Sequence, residues 1–150
     1  MRAFIQRVRY SQVVVGGEIV GKIGPGLLVL LGITHDDTPA DIDWLIRKIT
    51  QLRIFNDEAD KMNLSVLDTG GGILVVSQFT LYADAQKGNR PSYIRSAPPD
   101  LSQPLYEMFL ATLRQRFPGP VASGQFGAAM EITLLNDGPV TILLDSRAPL

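Results

Sequence analysis

Apolar and polar positions alternate from the first residues of the chain, with Ala3 and Ile5 set between Arg2, Gln6 and Arg7. That period of two predicts a strand with one buried face. Gln12-Val13-Val14-Val15 and Glu18-Ile19-Val20 flank Gly16-Gly17, and a glycine pair between two such runs predicts a tight hairpin turn joining a second and a third strand. Gly24-Pro25-Gly26 breaks the chain again, and the aliphatic run 27–33 carries no polar side chain, as a central strand does. The period then changes. Thr38, Pro39 and Asp41 supply an N-cap, a first-turn proline and early acidic charge, and Ile42, Leu45, Ile46, Ile49 and Leu52 recur at helical spacing.

Further along, Arg53-Ile54-Phe55 suits a short strand, while the polar stretch 56–63 and Thr69-Gly70-Gly71-Gly72 read as loop. Ile73-Leu74-Val75-Val76 is a strand buried on both faces, and it runs directly into Ser77-Gln78-Phe79-Thr80-Leu81. Residues 82–99 have no period and predict a loop longer than most connections within a compact domain. Ser102 is expected to cap a second helix with Leu105, Met108, Phe109, Thr112, Leu113 and Phe117 on one face, ended by Pro118-Gly119-Pro120. Strands at 130–135 and 140–144 are expected on either side of a turn at Gly138-Pro139. The whole predicts a single α+β domain over residues 1–150: a mainly antiparallel sheet or barrel-like β core with two principal helices.

Composition narrows the function. With 45% hydrophobic and 19% charged residues, and no apolar run near the roughly 20 residues of a membrane helix, a soluble protein with no membrane partner is expected. The N-terminal stretch interleaves charge with apolar residues, unlike a secretion signal, so a cytoplasmic location is expected. The chain has no cysteine and a single histidine, His35, which leaves no thiolate zinc site and too few imidazoles for a multi-ligand one; neither metal nor cofactor is expected. A net charge of −1 gives no overall pull on nucleic acid, so a polyanion would have to meet a local basic patch. Lys87, Arg90 and Arg95 in the long loop are candidates, and they suit a solvated loop face equally well.

The common catalytic constellations do not fit. A Ser-His-Asp arrangement would have to use His35, and no Gly-x-Ser-x-Gly elbow is present. The glycines at 24 and 26 are followed by no Gly-Lys-Ser or Gly-Lys-Thr, so they make no phosphate loop. Asp57, Glu58 and Asp60 lack the glycine and distal glutamate of a calcium loop. What remains is Ser77-Gln78-Phe79-Thr80 after a buried strand, and Asn136-Asp137-Gly138-Pro139-Val140-Thr141 between two apolar runs. On residue type alone these are a strand end and a turn.

Together they resemble the paired signature of the D-aminoacyl-tRNA deacylase family, and the opening of the chain, Gly24-Pro25-Gly26-Leu27, Gly88-Asn89-Arg90-Pro91-Ser92 and Phe126-Gly127-Ala128-Ala129-Met130 resemble it too. The resemblance runs the length of the chain in order. It implies a homodimeric enzyme that hydrolyses the ester between a D-amino acid, or glycine, and the terminal ribose of tRNA, and that spares the L ester. It also implies that Gly138-Pro139 is a cis bond inserted from one subunit into the active site of the other. Proline is the residue that makes a cis bond accessible. Carbonyls held rigidly at the substrate's α-carbon would bind its ammonium group and leave no room for a side chain on the L face. Such a site accepts many D-residues and cannot reject glycine.

By the same resemblance, Ser77, Gln78, Phe79 and Thr80 form the pocket floor. Gln78 and Thr80 offer side-chain hydrogen bonds and Phe79 a backbone N–H near the ester carbonyl, a place for oxyanion stabilisation. Arg7 holds the Gly-Pro segment, and Phe126 and Met130 line the adenosine side; read blandly, these are a strand-edge charge and two core residues. The motif contains no base for Thr80. The favoured mechanism has the vicinal 2′-hydroxyl of the terminal adenosine assist water, with Thr80 as a binder, and Thr80 as nucleophile is the fallback. A noncatalytic dimeric binding module and a Thr-dependent small-molecule esterase are the rival readings.

Overall fold

The structure is a computed structural model and describes residues 1–148. Its strands are β1 (Arg2–Val15), β2 (Glu18–Ile23), β3 (Gly26–Gly32), β4 (Phe55–Asn56), β5 (Met62–Leu64), β6 (Gly72–Ser77), β7 (Val121–Ser123) and β8 (Glu131–Asp145). The helices are α1 (Pro39–Gln51), α2 (Val66–Thr69) and α3 (Pro99–Arg116), with a 3-10 turn at Phe79–Tyr82.

One six-stranded sheet dominates, in the order β2-β1-β3-β6-β7 with β8 added on β1. β1 pairs antiparallel with β2, β3 and β8. It manages this because it is long and bends, with register shifts after Gln6, Val8 and Val13. The sheet curls until its ends meet: a Cβ on Gly21 of β2 would lie 2.4 Å from the carbonyl oxygen of Ser123 in β7. The result is a nearly closed, barrel-like sheet. Its two faces bury separate clusters, one against the helices (Ile5, Val29, Leu31, Leu45, Phe109, Leu113) and one inside the curl (Val8, Val13, Leu28, Leu74, Val76). β3 and β6 are therefore buried on both sides, as their unbroken apolar runs predict.

Several expectations are corrected. The sheet is mainly antiparallel and barrel-like, as expected, but it is mixed, because β3 pairs parallel with β6 and β6 parallel with β7; the long connections that carry α1 and α3 allow the crossovers that parallel pairing needs. The first two predicted strands are the single strand β1, whose polar middle stays paired with β8 through its register shifts: Ser11, with no exposed surface, donates to the Thr133 carbonyl at 3.0 Å. The last two are likewise the single strand β8. Gln6 pairs with Thr141 and Val8 with Asn136, so residues 137–140 stand opposite Arg7 alone and Gly138-Pro139 lies on a bulge within a strand. The second helix starts at Pro99 with Pro98 as its N-cap, and Ser102, inside the first turn, donates to the Pro98 carbonyl at 3.1 Å. Its buried face is Ser102, Tyr106, Phe109, Leu110 and Leu113, while Met108 is 44% exposed. The Tyr106 hydroxyl selects that face by reaching the Val75 carbonyl at 3.2 Å. The loop at 56–63 contains most of the β4–β5 hairpin, and Ser65 and Asp68 cap the third helix, α2, reciprocally.

A polar cluster fastens the ends of β1 and β8 to α1. The Met1 amino group donates to Asp37 at 2.6 Å and to Ser146 at 2.9 Å, and Ser146 donates to Asp41 at 2.6 Å. Burial opposes ionisation of Asp41, but the Ser146 hydroxyl, the Thr38 N–H and the Arg147 guanidinium outweigh it and bring its pKa down to about 2.

Candidate active site

A pocket of about 600 Å³ opens at the C-terminal ends of the parallel strands β3 and β6, the position where open α/β sheets bind ligands. Pairing continues one residue past β6, with the Gln78 N–H donating to Leu31 at 2.8 Å, and the chain then enters the 3-10 turn. Gly32 permits that turn to close on β3: a Cβ there would be 3.0 Å from Leu81 Cβ and 3.2 Å from the Gln78 carbonyl. At the start of a helical turn the first N–H groups have no acceptor within it, so Phe79 and Thr80 present free backbone donors.

Ser77, Gln78 and Phe79 line one wall. The Gln78 amide donates to the Thr80 hydroxyl. Thr80 is exposed and lies just beyond the lining. Phe79 is 54% exposed and meets Tyr93 edge to face, with ring centroids 5.0 Å apart. Phe126 and Met130 form part of the opposite wall. Phe126 rests on Tyr106 at 5.7 Å, and burial pushes the Tyr106 phenol up to about 12, so it stays a neutral anchor. Gly124 leaves room for Met130, since a Cβ there would stand 2.7 Å from its sulfur.

The lining holds no Asp, Glu, His, Lys or Arg. His35 lies outside it, with Nε2 2.9 Å from the Ile94 carbonyl. Among the described residues no group of three or more His, Cys, Asp or Glu is placed to hold a metal ion. The pocket can position a ligand, offer N–H and hydroxyl donors and exclude water, but it brings no proton acceptor stronger than a hydroxyl or amide. Three of its polar contributors were missed in the sequence. Tyr93 and Ser96 come from the aperiodic stretch 82–99, and Ser102 has the residue type and position of a helix cap in the sequence. The Ser96 Oγ is buried with no hydrogen-bond partner, a state that a composition-based reading has no way to signal.

The other half of the predicted site lies elsewhere. Gly138 and Pro139, joined by a cis bond, are exposed on the β8 bulge and do not line this pocket. Arg7, 8% exposed, donates from Nε to the Asp137 carbonyl at 2.8 Å and from Nη1 to the Ile54 carbonyl at 2.7 Å. The Asp137 carboxylate is 3.3 Å from Arg7 Nε. Asn136 grips the other side, donating to Arg7 at 2.9 Å and to Val140 at 3.2 Å. One chain thus brings Ser77, Gln78, Phe79, Phe126 and Met130 together, with Thr80 beside them, and holds Arg7, Gly138 and Pro139 as a second group. Ile54 and Asn136 belong to that second group; Asn136 opens the motif singled out in the sequence, whereas Ile54 was not foreseen.

The profile of the D-Tyr-tRNA(Tyr) deacylase family matches residues 4–145. A relative from Opitutus terrae named D-aminoacyl-tRNA deacylase is 57% identical over 99% of both chains. Another of that name, from Chloroflexus aurantiacus, is 58% identical over 97% of this chain and 91% of its own. A solved structure named c-Myc DNA Unwinding Element Binding Protein superposes with a TM-score of 0.94 at 43% identity, covering 99% of this chain and 100% of that one. A probable eukaryotic D-amino acid tRNA deacylase shares the fold, with a TM-score of 0.82 at 18% identity over 95% of this chain and 97% of that one. Matched almost from end to end and more than half identical to such relatives, the chain belongs to the D-Tyr-tRNA(Tyr) deacylase family.

Proposed function

We propose that the protein hydrolyses the ester of D-aminoacyl-tRNA, and of mischarged glycyl-tRNA, in the cytoplasm, releasing the amino acid and tRNA and sparing the L ester. The observation that carries this reading, beyond family membership, is a pocket with hydrogen-bond donors at a strand end and no acid or base in its walls. Such a site suits a substrate that brings its own catalytic group, and the 2′-hydroxyl beside the ester is one. Water attacks the ester carbonyl with help from that hydroxyl, and the Phe79 N–H stabilises the developing oxyanion. Gln78 and Thr80 bind. Their mutual hydrogen bond gives Thr80 no base, which disfavours a Thr-dependent esterase.

Chirality is judged by a second copy of the chain. The reading is supported by the place of Gly138 and Pro139, on an exposed, pinned bulge outside the lining of their own chain's pocket and free to enter that of a second copy. The reading is tested by deacylation of matched D-, L- and glycyl-tRNA with the purified protein and with Thr80→Ala and Gln78→Ala. Cleavage of the D and glycyl esters, with the L ester intact and activity surviving in Thr80→Ala, is the expected result. Cleavage of none of them would remove the proposal and leave a noncatalytic module.

A further inference from the structure

The rim of the pocket carries apolar surface for which ester chemistry has no use. Phe79 and Tyr93 are 54% and 42% exposed, and Ile94 beside them is 80% exposed. Contiguous apolar surface of this kind marks an interaction site. The segment is also held in place. The Ile94 carbonyl is 2.9 Å from His35 Nε2, the Ala97 N–H donates to Ile33 at 2.9 Å, and Thr34 bridges to Ser96. The segment that carries Tyr93 and Ile94 also carries Lys87, Arg90 and Arg95, all exposed. Among the described residues none of the three takes part in an ion pair. On a protein of net charge −1, an exposed aromatic pair on a segment with three unpaired cations and one acidic residue, Asp84, between residues 82 and 97 is a local departure from the average surface.

We infer that Tyr93, supported by Phe79, is a stacking platform for the unpaired nucleotide immediately 5′ of the terminal adenosine, with the loop cations meeting the adjoining phosphates. This inference rests on the aminoacyl-tRNA reading of the pocket. Single-stranded RNA presents a flat apolar base and a negative backbone together, the pairing that an aromatic ring beside Arg and Lys complements. A purely apolar protein segment would match the rim but leave the cations uncompensated. The interior, at about 600 Å³, is of a size for one small ligand such as an aminoacyl nucleoside, so the strand leaving it must cross the rim. Phe79 links the two places: its backbone N–H faces the ester while its ring braces Tyr93, which fixes the platform relative to the reacting carbonyl.

The experiment compares D-aminoacyl esters of adenosine, of the dinucleotide ending in cytidine-adenosine and of the cytidine-cytidine-adenosine trinucleotide, alongside full D-aminoacyl-tRNA. In the wild-type protein kcat/KM should rise roughly tenfold when the first 5′ cytidine is added, the scale of one base stacked on an aromatic ring. Tyr93→Ala should lose that rise through KM, so that its kcat/KM is the same for the adenosine ester and the dinucleotide ester whatever its level on the former, with an unchanged thermal midpoint reporting an intact fold. Tyr93→Trp should keep the rise and Tyr93→Leu, similar in bulk but not aromatic, should lose it. No rise in the wild type, an unchanged rise in Tyr93→Ala or rescue by leucine would each overturn the platform. If the wild type failed on full D-aminoacyl-tRNA as well, the deacylase reading itself would fall, an outcome distinct from loss of the platform alone.

Discussion

The Nε of Arg7 lies 2.8 Å from the carbonyl oxygen of Asp137, the residue that precedes Gly138. A buried side chain on β1 thus fixes an exposed bulge on β8. Because the same guanidinium also serves Ile54, Arg7→Ala leaves two carbonyls without their donor. Removing a charged hydrogen-bond partner costs about 1–3 kcal/mol, so urea unfolding should show a loss on the order of 2 kcal/mol. The ratio of D to L ester cleavage should fall with it. In Arg7→Lys a single ammonium replaces a fork of donors, and selectivity should stay below wild type even where stability recovers.

At Gly138 the constraint is steric. A Cβ built there would lie 1.9 Å from the Val140 nitrogen, which is main chain and cannot turn aside. Gly138→Ala must therefore move the bulge. Displacement on the order of 1 Å at a positioning group costs roughly 100-fold in rate, and that loss is expected in kcat/KM for the D ester, with the far-ultraviolet circular dichroism unchanged.

Ser96 offers a prediction of the opposite kind for stability. Its hydroxyl is buried without a partner, so Ser96→Ala removes an uncompensated polar group and should leave the thermal midpoint level or raised. Ser96 is a residue of the pocket wall, but its hydroxyl is buried within that wall, so KM for D-aminoacyl-tRNA should stay at the wild-type value.

Acid should act through the cluster at the end of β1. The folded pKa of Asp41, about 2, lies below its usual 3.8, so the ionised form favours the native state. Asp145 is shifted the same way: burial raises it, and the hydrogen bond from Arg2 leads the contributions that pull it below its ordinary value. Their stabilisation is complete above about pH 4 and is lost as pH falls through the folded pKa values. For Asp41 the amount is on the order of 2 kcal/mol. Urea midpoints measured between pH 5 and pH 2 should decline, and Asp41→Asn should flatten that decline while lowering the value at pH 5.

The parts of this structure legible in the sequence are those fixed by period. The aliphatic runs at 27–33 and 73–76 became the doubly buried strands β3 and β6, and Thr38-Pro39 with Asp41 opened α1. Errors arose where continuity depends on a distant partner. Ser11 stays inside β1 because the Thr133 carbonyl receives its hydroxyl, and nothing local announces that. Gly138-Pro139 has the composition of a hairpin turn, yet pairing with β1 on either side keeps it within β8. In α3 two apolar stripes overlap, and contact with Val75 decided between them. Of the candidate site, the floor at 77–80 was readable as a motif, whereas Ser96 and Tyr93 came to the pocket by tertiary placement alone.

The three-way pairing of β1 also bears on synthesis. Arg2 and Asp145, which form an ion pair at 2.8 Å, stand 143 residues apart in the chain. A ribosome would therefore extrude β1 with β2 and β3 available to it long before β8 emerges, and the flank reserved for β8 would wait as an open sheet edge. Contacts of such sequence separation form slowly, and open edges recruit other chains. In the cell, nascent chains stalled before β8 should be the form of this protein most dependent on chaperones.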